Sequence, residues 1–148
     1  MLLEGEKILI TGTHGFLGRN LAKKFSKKGA KIYGIGHGEF SSEEMLELGI
    51  AKYVSEDINL SNLLNTCKNP HKIIHCASSA SVAYSVSNPK EDFERTVNST
   101  LSVLEFMRLY ANESKLVIPS SAAVYGQKDK KSISIEDLLN PLSPYGNS

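Results

Sequence analysis

The chain has 148 residues, about the size of one domain, and 41% of them are hydrophobic, which is enough for one buried core. Its 17 basic and 16 acidic residues balance, which argues against a general binder of nucleic acid or anionic membranes. Two cysteines without disulfide or metal-ligand spacing predict a reduced, cytoplasmic protein without a metal. The N-terminal MLLEGEKILI is acidic where a signal peptide is basic, and no apolar run reaches the ~18 residues of a membrane span.

The first half of the chain alternates between strand and helix patterns. Short apolar runs typical of buried strands are KILIT, KIYGIG, AKYVSEDI and KIIHCA, at 7–11, 31–36, 51–58 and 72–77. Helical spacing or helix-end signals predict helices at 16–28, 41–49 and 59–67. Gly29 ends the first of these helices, and a serine caps the second.

The second half begins with a predicted serine-rich loop at 78–87, then a long helix at about 89–111 and a fifth strand, KLVIPS, at 115–120. The helix has two apolar stripes: Phe93, Val97, Leu101 and Leu104, then Val103, Phe106 and Tyr110. Two stripes indicate burial against the sheet and a partner subunit, or one wide core face, and the pattern favours neither. Five apolar strands alternating with helices predict an α/β fold, a parallel sheet covered on both faces.

A glycine-rich stretch, TGTHGFLGRN, follows the first strand directly. At this spacing Gly12 permits a tight turn, Gly15 lets the backbone approach a pyrophosphate, and Gly18 lets the helix pack on the strand. The helix start at Phe16 and Leu17 would offer N–H groups and a positive dipole end to the phosphates. The alternative is a structural turn with incidental glycines, and the flanking strand and helix argue against it.

The stretch TGTHGFLG resembles the TGxxGFLG signature of the extended short-chain dehydrogenases/reductases, which are NAD(P)-dependent nucleotide-sugar epimerases, dehydratases and reductases. Three later stretches, IIHCASSASVAYSVSNP, IPSSAAVYG and PLSPYGNS, are similar to family motifs in the same order. The resemblance covers residues 7–148 and implies a Rossmann-type doubly wound parallel sheet. It also implies an incomplete domain, because the lysine of the family's YxxxK would be position 149 and further strands and a substrate-binding lobe would follow.

The resemblance implies roles for residues after the third and fourth strands. Asp57 and Ile58 would contact the adenine, with Asp57 as a helix cap the alternative. His75 would be a buried structural histidine bonded to backbone. The residues whose backbone would line the cofactor are Cys76, Ala77 and Ser78.

The resemblance also implies a reaction site. Tyr145 falls on the catalytic tyrosine, and Ser121 on the serine that hydrogen-bonds the substrate. In the family, a hydride moves between a sugar carbon and the nicotinamide while the tyrosine exchanges a proton with the sugar hydroxyl. Free tyrosine, with a pKa near ~10, is a poor base at neutral pH, so the family's lysine and the positive nicotinamide lower its pKa. The loop residues facing the nicotinamide and sugar would include Ser79, Ser81 and Ser85.

The sequence departs from the family pattern in three places. Gly36 stands where NAD-using members carry an aspartate, and His37 could complement a 2′-phosphate, which raises the expectation of NADP above the family's usual and leaves NAD and NADP both open; an exposed loop role for His37 is the alternative. Thr96 replaces an asparagine and would bond either the ribose or the loop backbone. Ala122 and Ala123 replace the acidic residues of dehydratases, which disfavours that reaction.

The residues and the resemblance together predict a 4-epimerase or 4-keto reductase of nucleotide sugars. The full-length protein would be a homodimer. These 148 residues alone would not catalyse, because they lack the lysine of the family's YxxxK motif. One alternative is a non-catalytic NAD(P)-binding module or redox sensor, favoured by Thr96 and the missing lysine and disfavoured by Ser121 and Tyr145. Another is an enzyme of steroid or flavonoid-type substrates, disfavoured by the serine-rich loop.

Overall fold

Five strands form one parallel sheet in the computed structural model, which describes residues 2–79, 81–128 and 132–148. They are β1 (Lys7–Thr11), β2 (Lys31–Gly36), β3 (Ile50–Ser55), β4 (Lys72–His75) and β5 (Lys115–Val117). Their order is β3–β2–β1–β4–β5, and all four neighbouring pairs are parallel. The chain thus winds outward from β1 first to one side and then to the other, which confirms the predicted Rossmann-type doubly wound sheet.

Helices lie between and after the strands. They are α1 (Phe16–Ser26), α2 (Ser42–Leu48), α3 (Leu60–Thr66), α4 (Val82–Ser87), α5 (Pro89–Phe93), α6 (Ser99–Tyr110) and α7 (Pro144–Asn147). A π-helical turn, Glu94–Asn98, joins α5 to α6, and a 3-10 turn spans Ala122–Tyr125. The predicted cap of α2 is present: the Ser41 hydroxyl accepts from the Glu44 N–H, and the Glu44 carboxylate accepts from the Ser41 N–H.

Both faces of the sheet are covered, as predicted. On one face Ile8 and Ile10 of β1 pack in a cluster with Ala22 of α1. On the other face Leu9 packs in a cluster with Phe106 of α6. Neighbouring residues of β1 face opposite sides because side chains alternate along a strand, so a strand covered on both faces is apolar throughout.

The serine-rich segment predicted to be a loop at 78–87 contains a helix, so that prediction is wrong. The Ser81 hydroxyl accepts from the Tyr84 N–H and starts α4. Serine is a modest helix former but a strong N-cap, and its abundance here concealed the helix.

The long helix predicted at 89–111 is interrupted by the π-helical turn between α5 and α6. Val103 and Phe106 are fully buried, whereas Leu101 and Leu104 are 56% and 45% exposed. A wide core face is therefore wrong for Leu101 and Leu104, and their burial against a partner stays a prediction. Three predicted strands also end earlier than expected, at Ser55, His75 and Val117.

The described chain divides into two compact units. The first unit runs up to Ala77 and continues with Ser99–Ile118, so it holds the sheet with α1, α2, α3 and α6. The second unit comprises Ser78–Asn98 and Pro119–Ser148 and holds α4, α5, α7 and the two other turns. Within the described residues, no helix is long and apolar enough to cross a membrane, and no group of three potential metal ligands occurs.

Candidate cofactor and active site

The turn after β1 brings two backbone segments of the first unit into contact. Gly12 has φ +65°, and a Cβ on it would lie 2.8 Å from the Ala77 nitrogen and 2.9 Å from the Cys76 carbonyl carbon. Its own N–H donates to the Ile35 carbonyl at 2.8 Å. Only glycine therefore suits both the conformation and the close approach, and the tight turn predicted for Gly12 is present.

The start of α1 has the features of an anion cradle. Gly15 occupies the N-cap without a side chain to satisfy the first N–H groups, and the first turn carries no acidic residue. A Cβ on Gly15 would meet only the Gly12 carbonyl oxygen, at 3.2 Å. Phe16 and Leu17, the next residues, are exposed. These observations fit a pyrophosphate, which the helix dipole also favours.

Gly18, the third glycine of the stretch, lies against the turn that follows β1. A Cβ on Gly18 would lie 2.6 Å from the Thr13 Cα, so the absence of a side chain lets the start of α1 pack against the residues that directly follow β1. The buried Thr13 hydroxyl donates to the Ile10 carbonyl at 2.6 Å and accepts from the Ile35 N–H at 3.2 Å. Gly34 leaves room for it, because a Cβ there would lie 2.7 Å from the Thr13 Oγ1. A glycine inside a strand pattern is the signal that could have indicated this contact.

The end of β2 explains the absence of the family's aspartate. Gly36 has φ +149°, and a Cβ there would lie 3.3 Å from the Gly12 Cα. An aspartate would be strained in this backbone conformation. The neighbouring His37 is exposed, which fits both a loop role and a role toward a 2′-phosphate, and its Nε2 lies 2.9 Å from the Asp57 Oδ1, with both side chains at least 80% exposed.

Asp57 does not cap α3, so that alternative is wrong. The cap is Asn59, whose side-chain oxygen accepts from the Asn62 N–H at 2.9 Å. The Asn62 amide in turn donates to the Asp57 carbonyl at 2.9 Å. The Asp57 carboxylate therefore remains exposed, while Ile58 packs partly buried against the core cluster of Leu9.

The loop that follows β2 is held by an aromatic cluster that the sequence pattern did not indicate. The Tyr53 hydroxyl lies 2.8 Å from the Gly36 carbonyl and 3.1 Å from the Gly38 carbonyl. The Phe40 ring packs edge-on against Tyr53, at 4.8 Å between centroids, and the Arg19 guanidinium lies over it at 4.7 Å. Burial raises the pKa of Tyr53, so its hydroxyl keeps the proton that it donates to this loop.

His75 occupies the end of β4 and is buried, with 3% of its surface exposed. Its Nδ1 lies 2.6 Å from the Thr11 Oγ1, and its Nε2 lies 3.1 Å from the Thr100 Oγ1 and 3.4 Å from the Ser99 Oγ. Its partners are hydroxyl groups, so the predicted bonding to backbone is wrong. Burial lowers the pKa of His75 to about 4, which leaves the ring neutral at physiological pH.

The segment after His75 is tied to β1. The Cys76 N–H donates to the Thr11 carbonyl at 3.1 Å, and the Ala77 N–H donates to the Thr11 hydroxyl at 3.2 Å. Burial raises the pKa of the Cys76 thiol, and neither Cys76 nor Cys67 forms a disulfide. These bonds hold the 76–77 backbone where Gly12 meets it.

In the second unit, Thr96 bonds the loop backbone, which is one of the two possibilities that its position left open. Its hydroxyl accepts from the Ser79 N–H at 3.1 Å. Ser79 is buried, whereas Ser81 is exposed and caps α4. Ser78 is exposed at the start of this unit. A role of these serines toward a substrate or cofactor stays a prediction.

The helix that carries Tyr145 is held at both ends by side chains of α4 and α5. The fully buried Ser85 hydroxyl accepts from the Tyr145 N–H at 3.1 Å and donates to the Val82 carbonyl at 2.7 Å. The Ser148 hydroxyl donates to the Asp92 Oδ2 at 2.8 Å. Asp92 is buried, and its Oδ1 has no hydrogen-bond partner among the described residues. The sequence pattern did not indicate Asp92.

Ser121 lies on the element that contacts α7. Its hydroxyl accepts from the Ala123 N–H at 3.2 Å and caps the 3-10 turn. A Cβ on Gly146 would lie 2.7 Å from the Ala123 carbonyl oxygen, so the absence of a side chain lets α7 approach this turn. The second unit thus brings together the elements that carry Ser121 and Tyr145.

A parallel sheet of this order, with a glycine turn leading into the helix after β1, defines a Rossmann-type dinucleotide-binding fold. The profile of the NAD dependent epimerase/dehydratase family matches residues 8–148, so the chain belongs to that family. This confirms the resemblance inferred from the motifs.

The individual relatives include nucleotide-sugar epimerases by name. Protein CapI of Staphylococcus aureus is 32% identical, over 94% of this chain and 45% of that protein. A UDP-glucose 4-epimerase of Pisum sativum is 28% identical, over 100% of this chain and 46% of that one. The solved structure of UDP-glucose 4-epimerase from Brucella ovis in complex with NAD has a TM-score of 0.82 at 26% identity, over 97% of this chain and 44% of that chain. The chain therefore spans less than half the length of these relatives.

Proposed function

We propose that the protein is an NAD(P)-dependent nucleotide-sugar 4-epimerase or 4-keto reductase. The observation that carries this proposal is the glycine cradle at the start of α1, with the 76–77 backbone seated against Gly12. The epimerase names of its relatives support the nucleotide-sugar class. The alanines that follow Ser121, at Ala122 and Ala123, support an epimerase or a reductase over a dehydratase, because an alanine cannot exchange a proton.

In this proposal the two units have separate tasks. Gly15 and the first N–H groups of α1 hold the pyrophosphate, and Asp57 and Ile58 contact the adenine. When bound, the nicotinamide supplies the hydride acceptor and donor. Tyr145 takes the proton from the sugar 4-hydroxyl and returns it, and the Ser121 hydroxyl holds the same oxygen. Because a free phenol has a pKa near ~10, Tyr145 needs a cation beside it to act at neutral pH.

The choice between NAD and NADP depends on the end of β2. Gly36 supplies no carboxylate to repel a 2′-phosphate, and the exposed His37 supplies a donor for one, which supports NADP. The test is isothermal titration of the protein with each cofactor. We expect NADP to bind at least as tightly as NAD, and a tenfold tighter Kd for NAD would reject the NADP preference. Failure of both to bind would reject the cofactor site.

The reaction is tested by incubating the protein with a 4-keto nucleotide sugar and NADPH, and separately with a nucleotide sugar and catalytic cofactor. Loss of the reduced-nicotinamide absorbance in the first assay supports a reductase. Interconversion of the 4-epimers without net cofactor change in the second supports an epimerase. Because the chain spans less than half the length of these relatives, both assays are run on the full-length protein, where cofactor binding with neither reaction would reject both activities.

That last outcome defines the second candidate, a non-catalytic NAD(P)-binding module. It is favoured by Thr96, whose hydroxyl holds the Ser79 N–H in the position where the family has an asparagine. Two further proposals concern the setting of the protein. The unpaired cysteines support the cytoplasm, and the exposed Leu101 and Leu104 of α6 support a homodimer. Sedimentation velocity tests the dimer, and a monomer at high concentration would reject it.

A further inference from the structure

A chain of hydrogen bonds in the first unit runs from α6 to the backbone after β4. Thr11 and His75 are register partners at the ends of the adjacent strands β1 and β4. The Thr11 Oγ1 lies 2.6 Å from the His75 Nδ1 and also accepts from the Ala77 N–H. On the other side of the ring, Nε2 lies 3.1 Å from the Thr100 Oγ1 of α6. His75 thus joins Thr100 to Thr11 in this chain of bonds.

The donors and acceptors of this chain select one tautomer of the ring. A hydroxyl has one hydrogen, and a neutral imidazole has one N–H and one bare nitrogen. If Nδ1 carried the hydrogen, the Thr11 oxygen would receive two donors, and the described residues offer no other acceptor for its own hydrogen. With the hydrogen on Nε2, Thr11 donates to Nδ1 and accepts from Ala77, and Nε2 donates to the Thr100 hydroxyl, the nearer of the two α6 hydroxyls. Only this tautomer satisfies every group.

The direction of these bonds matters for the segment that the proposed cofactor would meet. The Ala77 amide can be held by Thr11 only while a Thr11 lone pair faces it, and the bond from the Thr11 hydroxyl hydrogen to His75 keeps the hydroxyl in that orientation. The same backbone lies close to Gly12, where a Cβ would come within 2.8 Å of the Ala77 nitrogen. A shift of the Ala77 backbone would therefore alter the wall of the glycine turn.

We infer that neutral His75, as its Nε2–H tautomer, is a positioning residue that orients the Thr11 hydroxyl and thereby fixes the Cys76–Ala77 backbone against Gly12 for the cofactor. His75 is too deeply buried to reach a ligand, so it acts only through Thr11. The role in cofactor binding rests on the proposed function. The tautomer of His75 and the hydrogen bond that holds the Ala77 N–H are properties of the protein without a ligand.

The first test reads the protein without any ligand. Long-range proton–nitrogen NMR spectra of the 148-residue protein report which ring nitrogen of His75 is protonated, with His75→Gln used to assign the signal. We expect the Nε2–H form near neutral pH. A predominant Nδ1–H form would overturn the inference, whatever the protein binds.

The second test separates positioning from stability with paired variants. Thr11→Val removes the hydroxyl at nearly constant shape, and Thr11→Ser keeps it. We expect Thr11→Val to speed hydrogen exchange of the Ala77 amide and to weaken the binding of NAD or NADP by about fivefold to tenfold, the worth of roughly one hydrogen bond. We expect Thr11→Ser to restore both properties.

The matched control is Thr66→Val, in a helix away from this segment. Thr66 is also buried, and its hydroxyl donates to the Asn62 carbonyl of α3 at 2.7 Å. It should lower the free energy of unfolding as Thr11→Val does, with no change in cofactor affinity or Ala77 exchange. His75→Asn, whose amide oxygen can accept near the Nδ1 position, should keep more affinity than His75→Gln, which extends toward Thr100.

The outcomes distinguish the inference from the proposed function. If the wild-type protein binds neither NAD nor NADP, the proposed function fails. The tautomer of His75 and the hydrogen exchange of the Ala77 amide still show whether His75, through Thr11, fixes the Cys76–Ala77 backbone. If the wild type binds a cofactor but Thr11→Val behaves like Thr66→Val, the inference fails and the function stands. Should Thr11→Val not fold, a higher cofactor affinity of His75→Asn than of His75→Gln supports the inference, and an equal or lower affinity rejects it.

Discussion

The candidate site of the first unit consists mainly of backbone groups, and that of the second unit consists mainly of side chains. The first unit presents backbone: Gly12 and Gly15 in a turn between the central strand and an 11-residue helix. The second unit presents side chains on short helices, such as the six residues of α4 and the five of α5. Isolated helices of that length are not stable in water, so the second site depends on bonds such as those of Ser85 and Asp92.

Because of this difference, we expect the two sites to be sensitive to opposite kinds of substitution. A backbone site beside the sheet is sensitive to added atoms, because its parts already lie in contact. A side-chain site on short helices is sensitive to removed atoms, because hydroxyls such as those of Ser85 and Ser148 connect two segments. The predictions below test this contrast, from the largest expected effect to the smallest.

The largest effect is expected from adding one methyl group to the turn after β1. Gly12→Ala would force a Cβ to within 2.8 Å of the Ala77 nitrogen and place an alanine at φ +65°. We expect it to cost roughly 3 kcal/mol or more in the free energy of unfolding and to abolish cofactor binding. Urea denaturation and isothermal titration are the measurements.

The control for that prediction is Gly5→Ala. Gly5 also has a positive φ, +76°, but a Cβ there meets nothing within 4 Å. It should therefore cost only about 1 kcal/mol, the strain of the left-handed conformation, and leave binding unchanged. Equal costs for the two variants would show that close approach at Gly12 contributes nothing.

The next effect is a pH dependence of the first unit. The pKa of His75 is about 4 when folded, below its ordinary value of 6.5, because burial disfavours the charged ring. The unfolded chain therefore binds more protons between these values, and stability is complete above the unfolded pKa and declines as the pH falls toward the folded one. We expect wild-type unfolding free energy to fall by up to about 3 kcal/mol across this window.

His75→Gln supplies the comparison for this slope. It should be less stable than wild type at neutral pH but should lose less stability on acidification, since it has no ring to protonate. Urea denaturation at several pH values from neutral to acidic measures both. Parallel slopes for the two proteins would contradict the assignment of the effect to His75.

The second unit should respond to the loss of a hydroxyl. Ser85→Ala removes the acceptor of the Tyr145 N–H, and leaving that amide unpaired should cost about 1–2 kcal/mol. We expect the Tyr145 amide to exchange faster by mass spectrometry or NMR, while amides of β1 and β2 keep their protection. Faster exchange in those strands would mean that the two units do not respond separately.

Ser87→Ala is the matched control in the same helix. Ser87 is exposed, and its hydroxyl makes only a long bond of 3.4 Å to the Ala83 carbonyl. Its replacement should change the free energy of unfolding by less than about 0.5 kcal/mol and leave Tyr145 exchange unaltered.

The contrast between the units also explains what the sequence could predict. The strands and the Gly12 turn follow from apolar runs and glycine spacing, which are local signals. The partners of His75 and Tyr145 could not be predicted, because Thr11 and Ser85 lie 64 and 60 residues away along the chain. The family motifs placed Tyr145 as a candidate, but no pattern indicated that α4 would form from a serine-rich stretch to hold it.

The smallest effect on stability, and the most specific one on binding, is expected at the surface pair of the first unit. His37 and Asp57 are both exposed, and such pairs contribute little to folding. His37→Gln should therefore leave the midpoint of urea unfolding unchanged. If His37 supplies a donor to a 2′-phosphate, the variant should weaken NADP binding by about twofold to fivefold and leave NAD binding unaltered.

A variant of Asp57, the residue paired with His37, should change the affinity for NADP in the opposite direction. Asp57→Asn removes the carboxylate that lies 2.9 Å from His37 and that would repel a 2′-phosphate. Its NADP affinity should rise relative to NAD, opposite to the change in His37→Gln. If both variants shift the ratio in the same direction, the pair acts on the adenosine as a whole rather than on its phosphate, and the NADP preference loses its physical basis.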